Sequence, residues 1–269
     1  MSPRIALVTG ASSGIGAATA EKLAQSGFTV YGAARRIERI EALPGVNAIG
    51  LDITNEEQIQ AAVDRIISQE GRIDVLVNNA GYGQFGTVEE TSIETARNQF
   101  DVNLFGLARL TQLVIPQMRA QGQGTIVNIS SMGGRIYTPL GAWYHATKHA
   151  LEGWSDCLRL ELRSMGINVV IIEPGSIATE FTEVVMDNFT GEAGPYDDYA
   201  QKVARVMNDP KFQKKSSPPS LIADTVLRAV NAKKPKSRYA AGYLAKPMLR
   251  LRRFGGDGLY DRALNQIIG

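Results

Sequence analysis

Ile5-Ala6-Leu7-Val8-Thr9-Gly10-Ala11-Ser12-Ser13-Gly14-Ile15-Gly16 is the stretch that decides the fold of this chain. The apolar run ends at Thr9 and Gly10, the pattern of a short buried strand. The stretch from Gly14 to Gln25 then reads as a helix, stopped by Gly27. Glycines between a strand and a helix let the backbone turn tightly and approach a pyrophosphate, which sits on the positive helix N-terminus. The spacing is G-x-x-x-G-x-G, not G-x-G-x-x-G, and a glycine-rich connection with no ligand would look the same in isolation.

The same alternation continues outward. Apolar runs at 28–34, 46–53, 73–77, 124–130 and 167–173 are expected as strands, with 238–241 as a last one. Stretches 55–69, 93–118 and 142–165 read as helices, followed by pieces at 199–207 and 221–232. Continuous apolar strands alternating with helices mean an α/β fold with a parallel sheet covered on both faces. Ligands of such sheets bind beyond the carboxyl ends of the strands, where the strand order reverses. Regularity weakens after Pro174, and Lys214-Lys215-Ser216-Ser217-Pro218-Pro219 reads as a mobile connector.

A length of 269 residues suits one large α/β domain over 1–269. With 44% hydrophobic and 21% charged residues, the composition is that of a globular protein with a sizeable core. A net charge of +2 gives no argument for a nucleic-acid partner. Cys157 is the single cysteine, so no intrachain disulfide forms. Met1-Ser2-Pro3-Arg4 has no signal-peptide pattern and no apolar run is long enough for a membrane span, so a cytoplasmic protein is expected.

Tyr144 and Lys148 lie four residues apart, which on a helix stacks them one turn apart on one face. A free phenol ionises near pH ~10, and a nearby cation lowers that value. Such a phenol can give or take a proton near neutral pH. Many surface helices carry the same pair, so its meaning depends on the rest of the chain.

Taken together, the glycine turn, Asn78-Asn79-Ala80-Gly81, Asn103, Ser131, Tyr144-x-x-x-Lys148 and Pro174-Gly175 resemble the short-chain dehydrogenase/reductase family over about residues 4–180. The resemblance implies a single Rossmann-type, doubly wound parallel sheet of about seven strands and a nicotinamide cofactor. It places Gly10, Ser12, Ser13, Gly14, Ile15 and Gly16 at the cofactor, with Asp52 and Ile53 at the adenine; Asp52 also reads as a helix N-terminal acid beside Asn55. Asn79, Ala80 and Gly81 are implied to hold the adenosine side, although Asn79 also fits a purely structural role. The resemblance implies a kinked turn at Asn103, whose backbone carbonyl holds a water in a proton relay to Lys148; a polar residue in a helix otherwise faces solvent.

Ser131 lies thirteen residues before Tyr144, the family's spacing, and its hydroxyl would donate to the substrate oxygen. Ser130 is expected to satisfy backbone groups. Lys148 would lower the pKa of Tyr144 and bond the nicotinamide ribose. Tyr144 would be the acid in reduction and the base in oxidation, while the cofactor carries the hydride. Pro174, Gly175, Ile177 and Thr179 match the segment over the nicotinamide carboxamide.

NAD-binding members carry an acid after the second strand for the ribose 2′-hydroxyl. Here Ala33-Ala34 runs into Arg35-Arg36, so NADP(H) is expected, with Arg35 first and Arg36 assisting at the 2′-phosphate. The plainer reading is that both arginines start a solvated helix with Glu38 and Glu41 as partners.

The expected activity is that of an NADP(H)-dependent alcohol dehydrogenase/carbonyl reductase of the hydroxysteroid dehydrogenase-like branch. Its rivals are a 3-oxoacyl-carrier-protein-type reductase and a catalytically silent NADP-binding scaffold. The expected substrate loop is 176–219 and the tail 243–269. In the loop, Phe181, Val184, Val185, Met186, Phe189 and Tyr196 suggest a bulky apolar carbonyl or alcohol as the small-molecule substrate, or else pack under a surface helix. His145 and His149 have metal-ligand spacing without a third ligand, so no metal is expected and both should face solvent or a neighbouring subunit. Cys157 is expected to pack. Lys246, Arg250, Arg252 and Arg253 either touch anionic lipid or form a solvated face. A homodimer or homotetramer paired through helices 93–118 and 142–165 is implied.

Overall fold

A computed structural model of the chain describes residues 3–181, 185 and 194–268. Seven parallel strands form one sheet: β1 (Ile5–Thr9), β2 (Thr29–Ala34), β3 (Val46–Gly50), β4 (Val75–Asn78), β5 (Gly124–Ile129), β6 (Ile167–Pro174) and β7 (Arg238–Ala241). Their order is β3-β2-β1-β4-β5-β6-β7. The chain therefore winds outward one way from β1 and the other way from β4, and the crevice between these two strands is the switch point.

The alternation of side chains in β1 explains the layering. Ile5 and Leu7 enter the core beneath α3 (Glu56–Glu70), α5 (Leu107–Gln121) and α6 (Ala142–Leu162). Ala6 and Val8 enter the core on the opposite face, beneath α1 (Gly14–Gln25) and a later helix, α9 (Pro219–Asn231). With both faces covered, every residue of β1 is buried. Asn55 caps α3 by accepting from the Gln58 amide at 2.9 Å, and left-handed Gly71 ends it.

Four expectations change. The third strand stops at Gly50, so Asp52 lies in the loop beyond it, where its carboxylate accepts from the Thr54 amide at 2.9 Å. The helix expected over 93–118 is divided into α4 (Ile93–Phe100) and α5 by a wider π turn at Asp101–Gly106 that contains Asn103. The expected mobile connector is pinned: α8 (Pro210–Lys215) ends there, Pro219 starts α9, and the Ala178 amide donates to Ser217 O at 2.9 Å. The tail is the helical stretch α10 (Ala245–Ile268), broken at Gly256 and packed inward through Tyr260 and Leu264. Between the loop and these helices lies α7 (Asp197–Met207). The short α2 (Ile37–Glu41) follows Arg36. Among the described residues, no helix is long and apolar enough to cross a membrane.

Candidate active site

The ends of β1 and β4 build one half of the site. Gly10 has φ +66°, and a Cβ there would lie 2.8 Å from Asn79 Nδ2. A Cβ on Gly16 would lie 2.1 Å from Gly10 O, so Gly16 lets α1 close onto the turn. Asn79 Nδ2 donates to Thr9 O at 3.0 Å and to Gly10 O at 3.3 Å. Thr9 Oγ1 accepts from the Asn79 and Ala80 amides, both at 3.0 Å. Asn79 thus braces the two strand ends, the structural alternative weighed for it.

Ser13 stands at the N-cap of α1 but makes no side-chain cap bond. Instead, Arg36 Nη2 donates to Ser13 Oγ at 3.2 Å and to Ser12 Oγ at 3.5 Å. The same guanidinium pairs with Glu180 Oε2 at 3.3 Å, and Arg39 pairs with Glu180 Oε1 at 2.8 Å. Glu180, which the sequence did not single out, takes the place expected for Glu38 and Glu41.

The ends of β5 and β6 and the start of α6 build the other half. Lys148 Nζ donates to Ile129 O at 3.0 Å, at the end of β5. Ser131 Oγ, one residue past Ser130, accepts from the Gly133 amide at 3.0 Å. Burial pushes the Tyr144 phenol up to about 12, with the Ser131 hydroxyl opposing. The lowering expected from Lys148 is not found in this geometry; desolvation dominates and Ser131 alone opposes it. Burial also pulls Lys148 down to about 8, with the Glu152 carboxylate opposing. Glu152, one turn further along α6, is itself held high mainly by burial.

The Ser130 hydroxyl is buried against the Glu152 carboxylate, where it partly offsets the burial that holds Glu152 high, rather than bonding a backbone group. Arg238 Nε reaches Glu152 Oε2 at 2.9 Å.

Asn103 is fully buried rather than solvent-facing. Its Oδ1 accepts from the Tyr82 amide at 3.0 Å, and its Nδ2 donates to Tyr82 O at 2.9 Å and Thr147 Oγ1 at 3.1 Å. The π turn is thereby joined to the loop after β4 and to α6. His145 is also buried, against expectation, while His149 is exposed. Cys157 is exposed rather than packed.

One cleft of about 1320 Å³ runs through both halves. Of the expected cofactor and catalytic residues it is lined by all but Gly16 and Asn103, which lie behind its wall. Its volume exceeds the ~300–1,000 Å³ of a typical ligand pocket, so there is room for a dinucleotide and a second molecule. The crowding around Gly10 and Gly16, the serine hydroxyls and the two arginines fit an anionic dinucleotide.

Phe181 packs tilted against Tyr144, with ring centroids 5.5 Å apart, and Val185 is buried in the same cluster. Tyr196 turns away and donates to Glu89 at 2.8 Å. Val184, Met186 and Phe189 lie outside the described residues. The cleft gains an apolar wall that the sequence reading missed: Met207 and Phe212, then Leu244, Met248, Leu264, Ile267 and Ile268 from the tail. Steps of three and four between 244 and 248 and between 264, 267 and 268 were the available signal.

The fold and cleft are those of a nicotinamide-dependent oxidoreductase. The short chain dehydrogenase family model matches residues 4–188, and the chain belongs to the short-chain dehydrogenase/reductase family. It is similar to a 3-ketodihydrosphingosine reductase of Bacteroides thetaiotaomicron, 36% identical over 247 residues, 91% of this chain and 90% of that one. A short-chain dehydrogenase from Streptomyces avermitilis has a similar structure, with TM-score 0.82 and 35% identity over 99% of this chain and 95% of that one. A metagenomic short-chain oxidoreductase in complex with NADP is 29% identical, with TM-score 0.71 over 90% and 97% of the two chains. Another neighbour, from Burkholderia phymatum, is in complex with NAD, at 25% identity and TM-score 0.79 over 93% of each chain.

Proposed function

We propose that this protein is an NADP(H)-dependent enzyme that interconverts an apolar ketone or aldehyde and its alcohol. The observation that carries the reading is the meeting of Ser131, Tyr144 and Lys148 in one cleft with Arg35, Arg36 and the glycine turn. Bound at the turn, the nicotinamide cofactor supplies the hydride in reduction and accepts it in oxidation. Gly10, Ser12, Ser13, Gly14 and Ile15 would hold its pyrophosphate, Arg35 and Arg36 its 2′-phosphate, and Asp52 with Ile53 its adenine. Ala80 and Gly81 would border the adenosine. Pro174, Gly175, Ile177 and Thr179 would face the carboxamide, and Lys148 the ribose.

In reduction, Tyr144 would donate its proton to the substrate oxygen while Ser131 donates a hydrogen bond to it. A phenol held near 12 keeps that proton at neutral pH. Lys148, held near 8, remains mostly cationic at pH 7 and would favour the phenolate left behind. The Asn103 carbonyl remains the proposed anchor of a proton relay to Lys148.

The apolar wall from Phe181, Met207, Met248 and Leu264 supports a bulky or long-chain substrate, and the name of the Bacteroides relative supports a long-chain ketone. Pairing of subunits through α5 and α6 is supported by exposed Leu160 on α6 and exposed Phe105 just before α5. With Cys157 as the single cysteine, no intrachain disulfide forms, which supports a reducing compartment such as the cytoplasm.

The test is NADPH oxidation with 3-ketodihydrosphingosine, androstenedione, 2-undecanone and decanal. Turnover of at least one, lowered by at least ~10²-fold in Tyr144→Phe with NADPH binding retained, is expected. Near-normal turnover in Tyr144→Phe overturns the mechanism. Tight NADPH binding with no turnover across such ketones and aldehydes favours the silent scaffold.

A further inference from the structure

His145 follows Tyr144 in α6, yet the chemistry outlined above does not use it. The residue is 7% exposed, and its ring makes a polar contact at each nitrogen. Nε2 accepts from the Thr138 amide at 2.9 Å, because a backbone N–H can only donate. The ring proton is therefore on Nδ1, which lies 2.9 Å from Gly133 O, a group that can only accept. One neutral tautomer satisfies both contacts. The Thr138 hydroxyl, also 2.9 Å from Nε2, can donate to the same atom.

The contact at Gly133 leads to the site. The Gly133 amide donates to Ser131 Oγ at 3.0 Å. With that lone pair occupied by an incoming hydrogen, the Ser131 hydroxyl is left to donate its own hydrogen elsewhere. The ring also fits a slot: a Cβ on Gly133 would lie 2.9 Å from Nδ1, and one on Gly141 would lie 2.8 Å from Nε2. Phe85 closes the slot edge-on, with ring centroids 6.3 Å apart.

We infer that His145 is a positioning residue: from the helix that carries Tyr144, it holds the turn that carries Ser131, and so sets the two hydroxyls against one substrate oxygen. The inference rests on the proposed roles of Ser131 and Tyr144. Burial pulls the ring down to about 4, so it stays in the neutral form that both contacts need throughout the physiological range.

The test is a double-mutant cycle joined to a spectroscopic measurement. His145→Phe fills the slot but holds neither Gly133 nor Thr138. With the fastest substrate of the four compounds above, kcat is expected to fall about 10- to 100-fold, the scale of a misplaced reacting group, and KM for NADPH to stay within about twofold. In a Ser131→Ala background the same substitution should change kcat by less than about threefold, because it acts through a hydroxyl already absent. Full multiplication of the two effects, or an unchanged kcat in His145→Phe, overturns the inference. His145→Gln, which can both donate and accept, serves if the Phe variant does not fold, and is expected to keep more kcat than Phe where both fold; equal loss overturns the inference. Imidazole 15N shifts of the wild type should report the Nδ1–H tautomer between pH 6 and 8, and an Nε2–H tautomer overturns the inference whether or not any substrate turns over. If Tyr144→Phe retains turnover, the roles of Ser131 and Tyr144 fail instead.

Discussion

Glu180 bridges Arg36 and Arg39: its two carboxylate oxygens lie 3.3 and 2.8 Å from their guanidinium nitrogens. Arg39 and then Arg36 hold its pKa below the usual carboxylate range. The carboxylate therefore occupies the guanidinium that the proposed 2′-phosphate would need. All three groups are largely exposed, so the pairs add little to stability and matter through competition. Glu180→Gln is expected to tighten NADPH by up to about tenfold and leave NADH within about twofold. Equal dissociation constants for NADPH in the wild type and the variant would show that phosphate and carboxylate do not share Arg36.

Cofactor choice is tested separately at the end of β2. Ala34→Asp together with Arg35→Leu places a carboxylate where a 2′-hydroxyl would be read and removes one guanidinium. A hydrogen bond to a charged group is worth ~1.5–3 kcal/mol, so NADPH should weaken by roughly one to two decades while NADH approaches parity. Wild-type binding of NADH as tight as that of NADPH would count against Arg35.

Acid stability should carry the signature of His145. Its pKa falls from 6.5 to about 4 on folding, so the unfolded chain takes up the proton first. Its contribution is full above about pH 6.5, shrinks as pH falls, and is lost below about pH 4. The shift corresponds to roughly 3 kcal/mol at most. Urea midpoints of the wild type and His145→Gln should therefore converge between pH 7 and 4; curves that stay parallel would contradict a buried neutral ring.

Asn103→Ala leaves the Tyr82 amide without its acceptor, while Tyr82 O keeps Gln99 Nε2 at 3.3 Å and the Thr147 hydroxyl still donates to Tyr144 O at 2.8 Å. One unsatisfied amide costs about 1–3 kcal/mol, so a drop in Tm is expected, with weaker turnover from a loosened π turn. A variant with unchanged Tm would mean that these bonds are replaced rather than lost.

Subunit pairing through α5 and α6 predicts that Leu160→Glu, at an exposed apolar position, shifts the particle toward monomer. Light scattering at micromolar concentration checks it, and a wild-type monomer would dismiss the pairing.

The sequence by itself determined the layered α/β architecture. β1 carries apolar residues toward both faces, and only a sheet covered on both sides buries them all. It also determined which residues meet, since Gly10, Asn79, Ser131 and Gly175 each follow a strand, and strand ends of a parallel sheet share one edge. Local pattern could not decide contacts made across the fold. The π turn at Asn103 is fixed by bonds to Tyr82 and Thr147, and the apolar wall of the cleft by a tail that starts about 70 residues beyond β6 and packs inward. His145 read as facing solvent or a neighbouring subunit because no third metal ligand accompanies it and His149, yet the ring is buried by the Gly141 cap of its own helix and by Gly133 and Phe85 from other segments. The pKa of Tyr144 was likewise a tertiary outcome: proximity of a lysine is visible in spacing, but desolvation depends on everything packed around the phenol.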